Sequence, residues 1–108
     1  MDHGIIREYW QLHVREYESD ESAVRAIVKK HGLTVDKVRN ITKVPRVYLG
    51  MLRYAKDTEG LTGHDAIKLA CELTADATRL SMTKVAKIIK QASQPIDDAS
   101  QFLNDAGS

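Results

Sequence analysis

The chain has 108 residues, enough for one small domain with a single core, and its 16 basic and 15 acidic side chains leave a net charge of only +1. One cysteine, Cys71, excludes an internal disulfide. No apolar run reaches the roughly 18 residues of a membrane span and no signal-peptide pattern is present, so a soluble, cytoplasmic protein with no membrane partner is expected.

Two prolines, six glycines and the lack of any strictly alternating segment imply an all-α fold. The expected form is a compact multi-helix domain over residues 1–92 with an aromatic N-terminal helix. A first helix is expected over residues 4–17, where Ile5, Ile6, Tyr9, Trp10, His13, Val14 and Tyr17 make a broad apolar stripe. Core burial is the default fate of such a stripe. Left exposed, Ile6, Tyr9, Trp10, His13 and Tyr17 would form the contact of a homodimer. The polar run at 18–22 ends this helix, and Asp20 or Ser22 can cap the next.

Residues 23–44 read as a helix-turn-helix. Val24, Ile27 and Val28 share one face, with Lys29 and Lys30 opposite. Gly32 takes a positive φ without steric cost, so the first helix stops there and the chain reverses. Leu33 plugs the corner, Thr34 is placed to cap the second helix, and Asp36 suits its positive end. Val38 and Ile41, three apart, point inward against Ile27 and Val28. That leaves Val35, Asp36, Arg39, Asn40 and Lys43 outward, among them types that read base edges in the major groove: arginine grips guanine, asparagine adenine, and a valine methyl touches thymine.

Pro45 ends this second helix near Val44 and begins another that carries Val47, Tyr48, Met51, Leu52 and Tyr54. After a loop at 57–60, a helix over 62–73 turns Ala66, Ile67, Leu69, Ala70 and Leu73 inward, and 74–80 is a short helix or linker. Ser81 caps a last helix, 82–91, with Val85, Ile88 and Ile89 apolar and Lys84, Lys87 and Lys90 in water. Residues 93–108 are polar and acidic, a frayed tail or linker.

The near-neutral total hides a strong asymmetry. Residues 1–22 carry −4, 57–75 carry −3, 76–92 carry +3 and 93–108 carry −3, whereas 23–56 hold nine basic side chains against one acidic, a net +8. Arg25, Lys29, Lys30, Lys37, Arg39, Lys43, Arg46, Arg53 and Lys56 would give that segment a phosphate-facing surface whose binding weakens with salt.

Four segments in order carry a resemblance. IVKKHGLTVDKVRNI (27–41) is followed by the proline-led PRVYLGMLRYA, then by EGLTGHDAIKLA (59–70) and LSMTKVAKIIKQA (80–92). This succession resembles the DNA-binding domain of the ParB/KorB family of partition and regulatory proteins. The third segment is similar to that family's G-L-S-x-G-H-A-x-x-L and the fourth to its L-S-V-x-x-x-E-x-L-V. The resemblance puts Thr34, Val35, Asp36, Arg39, Asn40 and Lys43 at recognition-helix positions and Lys29, Lys30, Lys37 and Arg46 on phosphates. The family's arginine-rich G-E-R-R nucleotide motif has no match here, so no nucleotide or other cofactor is expected. Its C-terminal dimerisation domain has none either.

No nucleophile elbow, phosphate-binding loop or metal-ligand spacing occurs among His3, His13, His31, His64, Cys71 and the carboxylates, so an enzyme is not expected. The leading expectation is a sequence-specific duplex DNA-binding protein acting in plasmid or chromosome partition or in transcriptional regulation. It would bind as a homodimer, with a partition ATPase as a possible partner and a nucleoid- or plasmid-associated location. The alternative is a helical protein–protein interaction module that does not bind DNA.

Overall fold

Two apolar clusters on either side of the first helix organise the structure, a computed structural model that describes residues 2–93. In chain order the described elements are α1 (Asp2–Trp10), a π-helical turn (Gln11–Arg15), α2 (Asp20–His31), α3 (Val35–Ile41), α4 (Lys43–Asp57), α5 (Gly63–Thr78) and α6 (Met82–Ala92). The class is all-α, as the composition implies. The expected acidic tail, from residue 94 onward, lies outside the described residues.

The α1 helix serves both clusters because its apolar positions form two adjacent i, i+4 pairs. Ile5 and Tyr9 enter a cluster with Ala23, Val24 and Ile27 of α2 and Val38 of α3. Ile6 and Trp10 enter the other, with Tyr48, Ala70, Cys71, Val85 and Ile89 from α4, α5 and α6. Arg7 Nε donates to the Gln91 carbonyl at 3.3 Å, and Arg15 donates to the Ser93 carbonyl, so the first helix is also tied to the end of α6.

The first helix differs from the single stripe over 4–17. The chain widens into a π turn at Gln11, the Glu16 N–H bonding to the Gln11 carbonyl five residues back at 3.0 Å. Tyr17 then takes φ 59 and leaves the helix with its ring in solvent. The next cap is neither Asp20 nor Ser22 but Ser19, whose hydroxyl accepts from the Ser22 N–H at 3.1 Å.

Later elements depart in two places. Residues 74–80 are no linker, since α5 runs on to Thr78 with Thr74 and Ala75 buried; the Thr74 and Thr78 hydroxyls donate to carbonyls one turn back. Ile67, expected inward, is 45% exposed, because the buried side of α5 runs through Ala66, Ala70, Cys71 and Thr74. Ser81 caps α6 as its position implies, accepting from the Lys84 N–H at 3.1 Å.

Two helix ends share the left-handed conformation with opposite chemistry. Gly32 closes α2 at φ 66 and Arg79 closes α5 at φ 60. Gly32→Ala should therefore destabilise the fold by about 1 kcal/mol, and Arg79→Gly should stabilise it by up to about 1 kcal/mol, since only a side chain with a Cβ strains this region. Paired urea titrations check both signs. Equal shifts in one direction would contradict the account.

Candidate nucleic-acid interface

The α2–turn–α3 unit is built by local chemistry. The Gly32 N–H bonds to the Val28 carbonyl at 2.9 Å and ends α2, and Leu33 lies half-buried against Val24 and Ile27's cluster. Thr34, extended at φ −81 and ψ 157, accepts from the Lys37 N–H at 3.1 Å and starts α3. Val38 is fully buried and is the anchor of this short helix, with Ile41 half-buried beside it. Because α3 presses on the core through so narrow a strip, Val35, Asp36, Lys37, Arg39 and Asn40 are all exposed.

The helix is shorter than the expected 34–44. Thr42 is buried, and its hydroxyl donates to the Val38 carbonyl at 2.8 Å; its backbone, at φ −91 and ψ 10, is not helical. Lys43 therefore opens α4 instead of closing α3, though it remains exposed directly after it. Pro45 occupies the third position of α4, where a missing N–H leaves no helical bond unmade.

The expected phosphate contacts divide into bound and unbound groups. Lys29 and Lys37 are exposed and hold no ion pair among the described residues. Arg25 meets Glu21 one turn away at 2.5 Å on the open surface, a pair worth little to stability and easily exchanged for another anion. Lys30 reaches Glu8 of α1 at 3.2 Å, and the same carboxylate takes the His31 ring at 3.0 Å.

Arg46, which the resemblance puts on a phosphate, has its guanidinium engaged with Asp20, Nε donating to Oδ1 at 2.9 Å and a terminal nitrogen to Oδ2 at 3.2 Å. The buried Tyr9 hydroxyl donates to the same Oδ1 at 2.6 Å. This triad locks α1, the start of α2 and α4 together. Burial pushes the Asp20 carboxyl up, but the hydrogen bonds from Arg46 and then Tyr9 outweigh it and hold the group below its ordinary range. For Tyr9, burial first and the Asp20 bond second push the phenol well above its usual value. Sequence offered no signal for this pairing, since its members stand 11 and 26 residues apart.

On the first helix, core burial, the default for its apolar stripe, holds for three of the five side chains that would form a homodimer contact if exposed. Ile6, Tyr9 and Trp10 are consumed by the chain's own core. His13 is half-buried, stacked on Tyr9 with ring centroids 5.4 Å apart and bonded to the Glu18 carbonyl at 2.7 Å. Only Tyr17 of the five stands in solvent. Elsewhere, His64 is exposed and Cys71 buried, and no group of three metal-ligating side chains forms among the described residues. No described helix is long and apolar enough to cross a membrane.

Compared with known proteins, the chain matches no family model, no curated protein and no solved structure.

Proposed function

We propose that this chain is a sequence-specific duplex DNA-binding module that presents α3 to the major groove. The observation that carries the reading is α3 itself: five exposed positions around one buried valine, inside a segment of net +8. Arg39 and Asn40 are the base-reading pair, Val35 and Lys43 flank them, and Lys29, Lys37 and Arg25 meet phosphates. Thr34 and Asp36 hold the start of the helix in shape. The ParB/KorB-like succession supports a role in plasmid or chromosome partition, with a partition ATPase as partner, or in transcriptional control. Pairing of two copies on a palindromic site would have to use a surface other than Ile6, Tyr9 and Trp10, which are buried within the chain.

Selection of bound duplexes from a random pool, followed by anisotropy titrations at two salt concentrations, tests the reading. Arg39→Ala combined with Asn40→Ala should reduce discrimination between the selected site and random duplex by about tenfold or more, leaving salt-sensitive binding in place. Lys29→Ala should weaken all duplexes alike and flatten the salt slope by about one. A double variant that keeps full selectivity, or a chain that binds no duplex at low salt, would overturn the proposal in favour of a protein–protein interaction module.

A further inference from the structure

A second feature lies away from α2 and α3. Trp10, Tyr48, Leu52, Ile67, Cys71 and Ile89 line a groove of about 410 Å³ formed by α1, α4, α5 and α6. Its size falls within the range of about 300–1,000 Å³ typical of small-molecule sites. This is where Ile67 shows its uncovered apolar surface. Two charged side chains line it, Lys56 and Lys90; among the described residues neither holds an ion pair and no acidic side chain lines the groove to balance them.

We propose that this groove binds a free alkyl carboxylate, a small amphiphile whose chain lies on the apolar floor and whose head group meets Lys56 and Lys90. Each part of the occupant answers one observation. The mainly apolar lining supplies a hydrophobic driving force, and besides the lysines it carries only the Tyr48 and Ser93 hydroxyls and the Cys71 thiol, too few polar groups to orient a sugar, base or peptide. The two ammonium groups, unpaired among the described residues, select a single anionic head over a neutral one. A second protein is a poorer fit, because stable protein interfaces cover about 800 Å² per partner and this feature is a concave slot. The site shares no residue with α2 or α3, the elements of the proposed DNA surface, although Lys56 also belongs to the basic segment 23–56.

The chain's one tryptophan is Trp10, so its emission reports on the groove without added labels. The full chain is titrated with straight-chain carboxylates from hexanoate to dodecanoate and with the matching alkanols, all below their micelle concentrations. Saturable changes are expected with the carboxylates, tightening about fourfold per added methylene until the groove is full. Lys56→Gln with Lys90→Gln should weaken carboxylate binding about fivefold and leave alkanol binding unchanged. Both lysines are exposed, so circular dichroism should show this variant folded as the parent is. Ile67→Glu should abolish the response on an equally intact fold.

Four results would overturn the assignment: no saturable change, equal affinity for alkanol and carboxylate, a response only to anionic phospholipid vesicles, or a double variant that binds carboxylates as tightly as the parent. A Trp10 emission that shifts on Phe102→Ser with no ligand added would give the groove to the chain's own last residues and overturn it as well.

Discussion

Trp10→Ala should be the most damaging single truncation in this chain, lowering stability by about 3–5 kcal/mol. Trp10 is 9% exposed and meets Tyr48 with ring centroids 6.2 Å apart, at the point where α1 joins the α4–α5–α6 cluster. Its removal takes away a large apolar side chain and leaves a cavity that the backbone of three helices must collapse to fill. Total stability for a domain of this size is only about 5–15 kcal/mol, so a large share would go. Thermal unfolding followed by circular dichroism should show a melting temperature lower by about 15 °C or more. Tyr17→Ala, an aromatic truncation seven residues on but in open solvent, should leave the melting temperature nearly unchanged. Similar losses for the two variants would refute the division of the aromatic residues into a buried and an exposed set.

Asp20→Ala should cost about 2 kcal/mol and should remove part of the acid sensitivity of the fold. The substitution strands two groups: the buried Tyr9 hydroxyl loses its acceptor, and Arg46 loses both its bonds. The figure is kept below that of a fully buried pair because the Asp20 and Arg46 side chains are 37% and 28% exposed and water screens them. The carboxyl is held below its ordinary value in the folded state. Its contribution is therefore complete above the unfolded value, near pH 4, and is lost as the pH falls through the depressed folded value. Urea titrations at neutral and at acid pH should show the parent and Asp20→Ala converging on acidification. A constant gap between them at every pH would remove Asp20 ionisation from the account.

What sequence reveals about this chain is local. Gly32, Thr34 and Ser81 each act within a few residues of themselves, through a left-handed φ or a cap on an N–H three positions ahead, and each does what its position implies. The lost positions depend on distant partners. Lys43 moves into α4 because buried Thr42 spends its hydroxyl on Val38 and closes α3 early. Arg46 turns inward because Asp20, 26 residues away, meets it. The π turn at Gln11 interrupts a stripe that periodicity alone would carry on to Tyr17. Ile67 has the spacing of an inward residue, yet the neighbours of α5 leave that side open.

The same dependence on distant partners has a consequence during synthesis. The bond from Arg7 to the Gln91 carbonyl spans 84 residues. At ribosomal rates of about 5–20 residues per second, the Ile6 and Trp10 face of α1 waits roughly 5–15 s for α6, which packs against it. The α2–α3 corner and the α4–α5 hairpin, made of near neighbours in the chain, have time to form first. The newborn protein thus passes through an interval with its first helix half-seated and its only tryptophan still lacking the cover of α6, which is the stage at which a chaperone has something to hold.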